Sequence, residues 1–206
     1  MDLQTLSKLV PDLILEGKFK EAETKLLDAH REASKRSDMK ALGEHILPLL
    51  VQLYCSLNPP NFVKAEAFSR ERENADPRAY HELQTAMMFY YVANDYPRAV
   101  AKLEEAINHG KAENDDSTVY SALSVLGQAL LQLDRKREAV RVLQEIEKMV
   151  LAKKPSVIGD ETLFLETAMG RGLELPTVKR IASILAPVCR DPEFGSRLKA
   201  LAENEA

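Results

Sequence analysis

The sequence is poor in several residue types, and each shortage excludes a class of protein. Its 206 residues include 8 glycines, 2 cysteines and no tryptophan, and only 6% are aromatic. So little glycine excludes a collagen-like chain or a flexible linker, and an apolar content of 45% excludes a disordered one. Cys55 and Cys189 lie far apart without a CxxC spacing, which argues against a disulfide framework and favours a reducing compartment. We therefore expect a globular, cytoplasmic protein.

Long apolar runs and an excess of positive charge are also missing. The longest uncharged stretches, 46–63 and 117–133, contain NPPN or many Ser and Gln residues, so neither is typical of a membrane span. The amino terminus lacks the cationic start of a secretory signal. With a formal net charge of −4, the chain has no electrostatic preference for nucleic acid or for an anionic membrane. Neither is predicted as a partner.

Signatures of catalysis are absent as well. The chain has no GxSxG, no HExxH, no phosphate-binding loop and no dinucleotide fingerprint, so we predict no catalytic residue and no cofactor. His45 and His81 fall at corresponding places of two predicted helices, where a metal or pH-sensing pair is conceivable. Because no third ligand can be identified, no metal site is predicted.

Helical periodicity runs through the whole chain, while alternating strand patterns are nearly missing. Tyr80, Leu83 and Met87 recur at intervals of three or four residues and predict one helix. A second helix is predicted to be capped by Asp95 and ended by Gly110. The pattern therefore predicts an all-α protein built from helical hairpins.

The hairpin pattern repeats imperfectly along the chain. Each copy has a small turn residue, a helix start and an alanine where two helices should touch closely. The alanines are Ala22, Ala65, Ala99 and Ala139. The segments are GKFKEAETKLLDA (17–29), NFVKAEAFSRER (61–72), NDYPRAVAKLEEA (94–106) and DRKREAVRVLQEI (134–146).

These hairpins resemble tetratricopeptide repeats, which have a period of about 34 residues and small residues at helix contacts. The resemblance covers roughly 3–150; it lacks the tryptophan of the family pattern, and Pro11 and Pro48 should kink or shorten their helices. It implies a right-handed α-solenoid of about four antiparallel hairpins over 1–154, with turns near 17–19, 58–62, 94–96 and 133–136. Three further helices, starting near Asp160, Thr177 and Asp191, are expected in 155–206 as a cap packed on the solenoid.

Charge separates the two helices of the later hairpins. Their first helices, in 46–57, 83–94 and 117–133, carry no charge, whereas their second helices are crowded with charge. An uncharged helix is shielded from water on most of its surface. Because first helices line the concave surface of tetratricopeptide-like solenoids, the resemblance implies a neutral groove.

The groove should present hydrogen-bonding and soft apolar side chains. We predict that it binds a peptide or an amphipathic helix of a partner protein, and not an acidic chain terminus, because the first helices lack the cations such a clamp needs. The predicted groove residues are His45, Gln52, Cys55, His81, Gln84, Met88, Tyr91, Ser124, Gln128 and Leu131.

Two alternatives remain open at this point. In the first, the groove is filled by the chain's own carboxy-terminal helices or by a second subunit in a homodimer, since LFLETAM and VKRIASILAPV supply enough apolar surface. In the second, the chain is a regulatory domain that senses a small ligand, and the pair His45 and His81 is the only sequence feature that supports it.

Overall fold

A computed structural model describes residues 3–153, 160–189 and 191–203. Throughout these residues the secondary structure is helical and contains no strand, which confirms the all-α class. The chain forms two compact units, Met1–Met88 and Phe89–Ala206. The expected boundary between hairpins and cap, at residues 154 and 155, lies outside the described residues.

The described residues of the first unit form six α-helices and one π-helical turn. They are α1 (Leu3–Leu15), α2 (Phe19–Lys35), α3 (Met39–Ala41), π1 (Leu42–Ile46), α4 (Leu47–Ser56), α5 (Phe62–Ala75) and α6 (Ala79–Met87). Within this unit α1 packs on α2 and α4, α2 packs on π1 and α4, and α5 packs on α4 and α6.

A second π-helical turn, π2 (Met88–Ala93), begins at the last residue of the first unit, and the remaining helices belong to the second. They are α7 (Tyr96–Glu113), α8 (Asp116–Gln132), α9 (Lys136–Lys153), α10 (Asp160–Gly170), α11 (Leu175–Leu185), a 3₁₀ turn (Ala186–Val188) and α12 (Pro192–Glu203). The three carboxy-terminal helices begin at or near the predicted starts.

Local sequence explains where most helices begin and end. Asp95 caps α7 by accepting the backbone N–H of Arg98 at 3.2 Å, as predicted. Gly110 does not end this helix: it is buried inside α7, which ends instead at Asn114 in the left-handed conformation. Asparagine tolerates that conformation, so a glycine is not needed there. Pro48 is the second residue of α4. It closely follows π1, a turn that is wider than an α-helical one.

A buried tyrosine ties three helices of the first unit together. Tyr54 of α4 is 2% exposed, and its hydroxyl donates to Glu23 Oε1 of α2 at 2.7 Å. Lys64 Nζ of α5 donates to the same Glu23 oxygen at 3.0 Å. The Tyr54 ring also stacks on Phe68, with centroids 5.7 Å apart. These contacts hold the pKa of Glu23 below its usual value, because Tyr54 and Lys64 both donate to its carboxylate.

Helix α8 is the centre of the second unit. It is contacted by α7, α9 and α10, and every residue from 122 to 131 is buried. Gly127 faces α10, where the ring of Phe164 occupies the space that a Cβ at position 127 would fill. Phe164 itself is fully buried. The absence of a side chain at Gly127 is therefore what allows α10 to approach α8 closely.

We expect Gly127→Ala to destabilise the protein. The new methyl group would overlap the Phe164 ring, and overpacking of this kind costs about 1–3 kcal/mol, more than the gain in helix propensity from alanine. Urea denaturation followed by circular dichroism measures the change. Gly170→Ala is the matched control, since a Cβ there meets nothing within 4 Å. Equal stability of the two variants would contradict the packing described for Gly127.

Candidate functional site

The ten predicted groove residues divide into accessible and buried ones. In the first unit Gln52 is exposed, and His45, Cys55 and Gln84 are half-buried. In the second unit Tyr91 is 44% exposed and packs edge-on against Tyr90, with centroids 4.7 Å apart. These five side chains are therefore at least partly exposed to solvent.

Ser124, Gln128 and Leu131 were predicted to line an open groove, but all three are buried. All three are at most 3% exposed, because α8 is enclosed by α7, α9 and α10. The Ser124 hydroxyl donates to the Tyr120 carbonyl, and the Tyr90 hydroxyl donates to Gln128 Oε1 at 3.3 Å. This part of the predicted groove is therefore an interior, in which the polar groups are satisfied by the protein itself.

His81 and Met88 are buried as well, at 2% and 5% exposure. His81 Nδ1 donates to the Asp76 backbone carbonyl at 2.7 Å, and its Nε2 lies 3.8 Å from a carboxylate oxygen of the same residue. Both residues were predicted to line an open groove. Because both side chains are buried, substituting either is expected to change the stability of the protein. A loss of binding in such a variant would therefore not identify a groove contact.

An open cleft of about 320 Å³ lies between α4, α5 and α6 of the first unit. It includes two predicted residues, Gln52 and Gln84. The floor and walls combine three apolar side chains with four neutral polar ones and one arginine. The lining residues are Pro48, Val51, Gln52, Ser69, Arg72, Gln84, Thr85 and Met87.

Arg72 reaches this cleft from α5 and is held by two neutral oxygen atoms. Its Nε–H donates to the Gly43 carbonyl at 3.1 Å, and its Nη1 donates to Gln84 Oε1. The Gln84 amide in turn donates to the Tyr80 hydroxyl at 2.8 Å. Burial lowers the pKa of Arg72 from its ordinary value, although the guanidinium stays charged at any physiological pH.

Arg72 is not among the predicted groove residues, because the charged second helices were expected to face solvent. A signal was available in the helical spacing. Ala65 and Ser69 of α5 are buried, and Arg72 follows them at the interval that keeps a residue on the same helix face. An arginine on a buried stripe differs from one on a solvated face, because its charge has to be matched from within the fold or by a ligand.

Two other clefts of the first unit also contain an arginine, but in each of them the arginine lies beside a carboxylate of the protein. A cleft of about 650 Å³ between α1, α2 and π1 includes Arg36, which lies 3.8 Å from Glu32. A cleft of about 380 Å³ includes Arg78, whose Nε donates to the Asp76 carboxylate at 2.9 Å. Both arginines already have carboxylate partners, whereas the partners of Arg72 in the cleft between α4, α5 and α6 are neutral.

The remaining chemistry of the described residues is limited. Within 3–153, 160–189 and 191–203 no three His, Cys, Asp or Glu residues come together as a group able to hold a metal ion. Burial raises the pKa of the Cys55 thiol, which disfavours the reactive thiolate. None of the helices in these ranges has both the length and the apolar character needed to cross a membrane.

Compared with known protein families, with curated proteins and with solved structures, the chain gives no match in any of the three searches. Its function therefore has to be inferred from the geometry of the chain itself.

Burial of His81 makes the stability of the protein depend on pH. Desolvation lowers the pKa of His81, and Arg72 and Arg78 lower it further, against the opposing effect of Asp76. The folded state therefore binds this proton less readily than the unfolded state, in which the pKa is about 6.5. The stabilisation is present above that value and is lost as the pH falls through it towards the lower pKa of the folded state.

We expect His81→Asn to flatten this dependence, because asparagine keeps a donor for the Asp76 carbonyl but does not titrate. Free energies of unfolding from urea titrations at pH 7.5, 6.5 and 5.5 measure the effect for both proteins. The native protein should lose stability over this range faster than the variant. Parallel curves would show that His81 is not the group responsible.

Proposed function

We propose that this chain acts by binding and not by catalysis, as a tetratricopeptide-like interaction module in which the first unit holds a segment of a partner protein. The observation that carries the proposal is the open cleft between α4, α5 and α6, with its mixture of apolar and hydrogen-bonding side chains. Binding sites for extended or short segments commonly combine these features.

The stacked-hairpin arrangement is supported by the packing order inside each unit. Consecutive helices pack on each other, as α4 does on α5 and α8 on α9. Helices two apart along the chain also pack, as α8 does on α10 and α9 on α11. A solenoid of hairpins requires both kinds of contact, since each hairpin buries its open face on the next.

The size of the cleft limits what it can hold. The cleft, of about 320 Å³, has room for one or two side chains of a segment that lies across its opening. A few buried anchors of this kind are sufficient for an affinity of order micromolar.

Peptides selected from a random 12-residue display library on the purified full chain test the proposal. We expect Val51→Arg to reduce their binding at least tenfold, because Val51 lines the cleft and the longer side chain fills it. Fluorescence anisotropy gives the dissociation constants. Val63→Arg is the matched control on α5, since Val63 is 81% exposed and outside the cleft. Unchanged binding to Val51→Arg, or the absence of any selected peptide, would refute the proposal.

A second candidate, a structural role, is favoured by α10 in the second unit. This helix packs on α8, which was predicted to line an open groove, and its Phe164 ring lies against Gly127. We infer that the second unit fills its own groove, so that its exposed surface is not a peptide site. The two candidates concern different units and are tested separately.

Displacing α10 should turn the second unit into a self-associating surface. Phe164→Arg places a charge in a fully buried position, and we expect it to release α10, expose apolar α8 side chains and produce dimers or larger species. Sedimentation velocity measures the oligomeric state. The neighbouring Leu163→Arg is the control, because Leu163 is 42% exposed. A monomeric Phe164→Arg protein with native helix content would contradict the structural role.

A further inference from the structure

The cleft between α4, α5 and α6 contains a cation that the protein itself has not neutralised. We propose that Arg72 binds the carboxylate of a Glu or Asp side chain carried within the partner segment that occupies this cleft. The inference rests on the function proposed above and specifies the chemistry of the anchor. It also revises the expectation that the groove offers no cation, because Arg72 enters from a second helix.

The Arg72 guanidinium has N–H groups that form no hydrogen bond within the described part of the chain. Of its five N–H groups, one on Nε is used by the Gly43 carbonyl and one on Nη1 by the Gln84 side chain. Within the described part of the chain, Nη2 makes no hydrogen bond, and Arg72 is one of the residues that line the cleft. The contact with Gly43 fixes the plane of the guanidinium. A fixed plane with an open edge suits the paired oxygens of a carboxylate.

Nearby carboxylates of the protein do not take the place of this ligand. Asp76 is engaged by Arg78, whose Nε donates to it at 2.9 Å. Glu73 accepts the Thr85 hydroxyl at 2.7 Å. Both carboxylates act on Arg72 only from a distance, and desolvation outweighs them, so the pKa of Arg72 is lowered. Contact with an anion stabilises a half-buried cation more than it stabilises a fully solvated cation, because water screens the charge of the half-buried cation less.

The rest of the lining favours a carboxylate side chain over a phosphate. The cleft contains a single cation, whereas a phosphate group, with close to two negative charges, calls for more. Gln52 can donate to a second carboxylate oxygen or to the backbone of the segment. Pro48, Val51 and Met87 provide an apolar wall for the methylene groups of a glutamate.

The test uses peptides selected on the full chain and resynthesised with an acetylated amino terminus and an amidated carboxyl terminus, so that only side chains carry carboxylates. Each Glu or Asp is replaced by Gln or Asn, and dissociation constants are measured by fluorescence anisotropy. We expect one replacement to weaken binding roughly 10- to 100-fold, the range for a charge-assisted hydrogen-bonded pair.

Variants of the protein assign that loss to Arg72. In Arg72→Gln, the acidic peptide should bind as weakly as its neutral counterpart, and the replacement in the peptide should cause no further loss. Arg70→Gln is the matched control, because Arg70 lies on the same helix and pairs with Glu66 at 2.6 Å. It should leave the discrimination between acidic and neutral peptides unchanged.

Arg72→Gln also removes the hydrogen bond to Gly43, so Arg72→Lys serves as a second variant. Lysine keeps the charge without the planar fork, and it should retain a reduced preference for the acidic peptide. In ¹⁵N-labelled native protein, the Arg72 Nε–H resonance should shift with the acidic peptide and not with the neutral one.

The outcomes separate the two proposals. Cleft-binding peptides that tolerate every Glu-to-Gln and Asp-to-Asn replacement would overturn the carboxylate anchor and leave the proposed function standing. The same holds if Arg72→Gln loses acidic and neutral peptides equally. If no peptide is selected at all, the proposed function fails, and the anchor fails with it.

Discussion

Close approach between helices, permitted by small side chains, is the constraint on which both units depend. The alanines of the four repeat segments, Ala22, Ala65, Ala99 and Ala139, all have 0% exposure. Each belongs to a helix that packs on its neighbour in the chain. Helix axes can come near the lower limit of about 8 Å only where the contact residues are small. Gly127 extends the same rule, since α10 reaches α8 over a position without a side chain.

The uncharged helices serve two different purposes in this protein. In the second unit α8 carries no charge after its first residue, Asp116; the helix is enclosed by three others, and a charge in its buried part would lack a partner. In the first unit α4 and α6 are uncharged where they border a cleft that stays open. The same compositional pattern therefore marks an interior in one place and the wall of an open cleft in another.

The specificity proposed for the cleft depends on Arg72, which comes from a different helix than the other two walls. The lining residues of α4 and α6 are neutral and supply shape and hydrogen-bonding groups, whereas α5 supplies the charge. Hydrogen bonds to Gly43 and Gln84 orient the guanidinium without neutralising it. A site built in this way is prepared for an anion and does not carry one of its own, which is why the proposed ligand is acidic although the chain as a whole is negative.

Much of the local structure could be predicted from the sequence. Periodicity and turn chemistry are sufficient to predict the all-α class, the cap at Asp95 and the three carboxy-terminal helices. They also predict the turns between helices near 17–19, 58–62, 94–96 and 133–136. These features depend on residues within one or two helical turns of each other, so a single sequence contains the information. The end of α7 is the exception, because both Gly110 and Asn114 suit a helix terminus and burial decided between them.

The candidate site could be predicted only in part. Gln52 and Gln84 were predicted from the sequence and do lie together in the cleft, but Ser124, Gln128 and Leu131 are buried, and Arg72 was not predicted. Helical spacing determined which residues share a face of a helix. Which face remains open was decided by the tertiary structure alone, because exposure depends on the helices that pack on that face, and those come from distant parts of the chain.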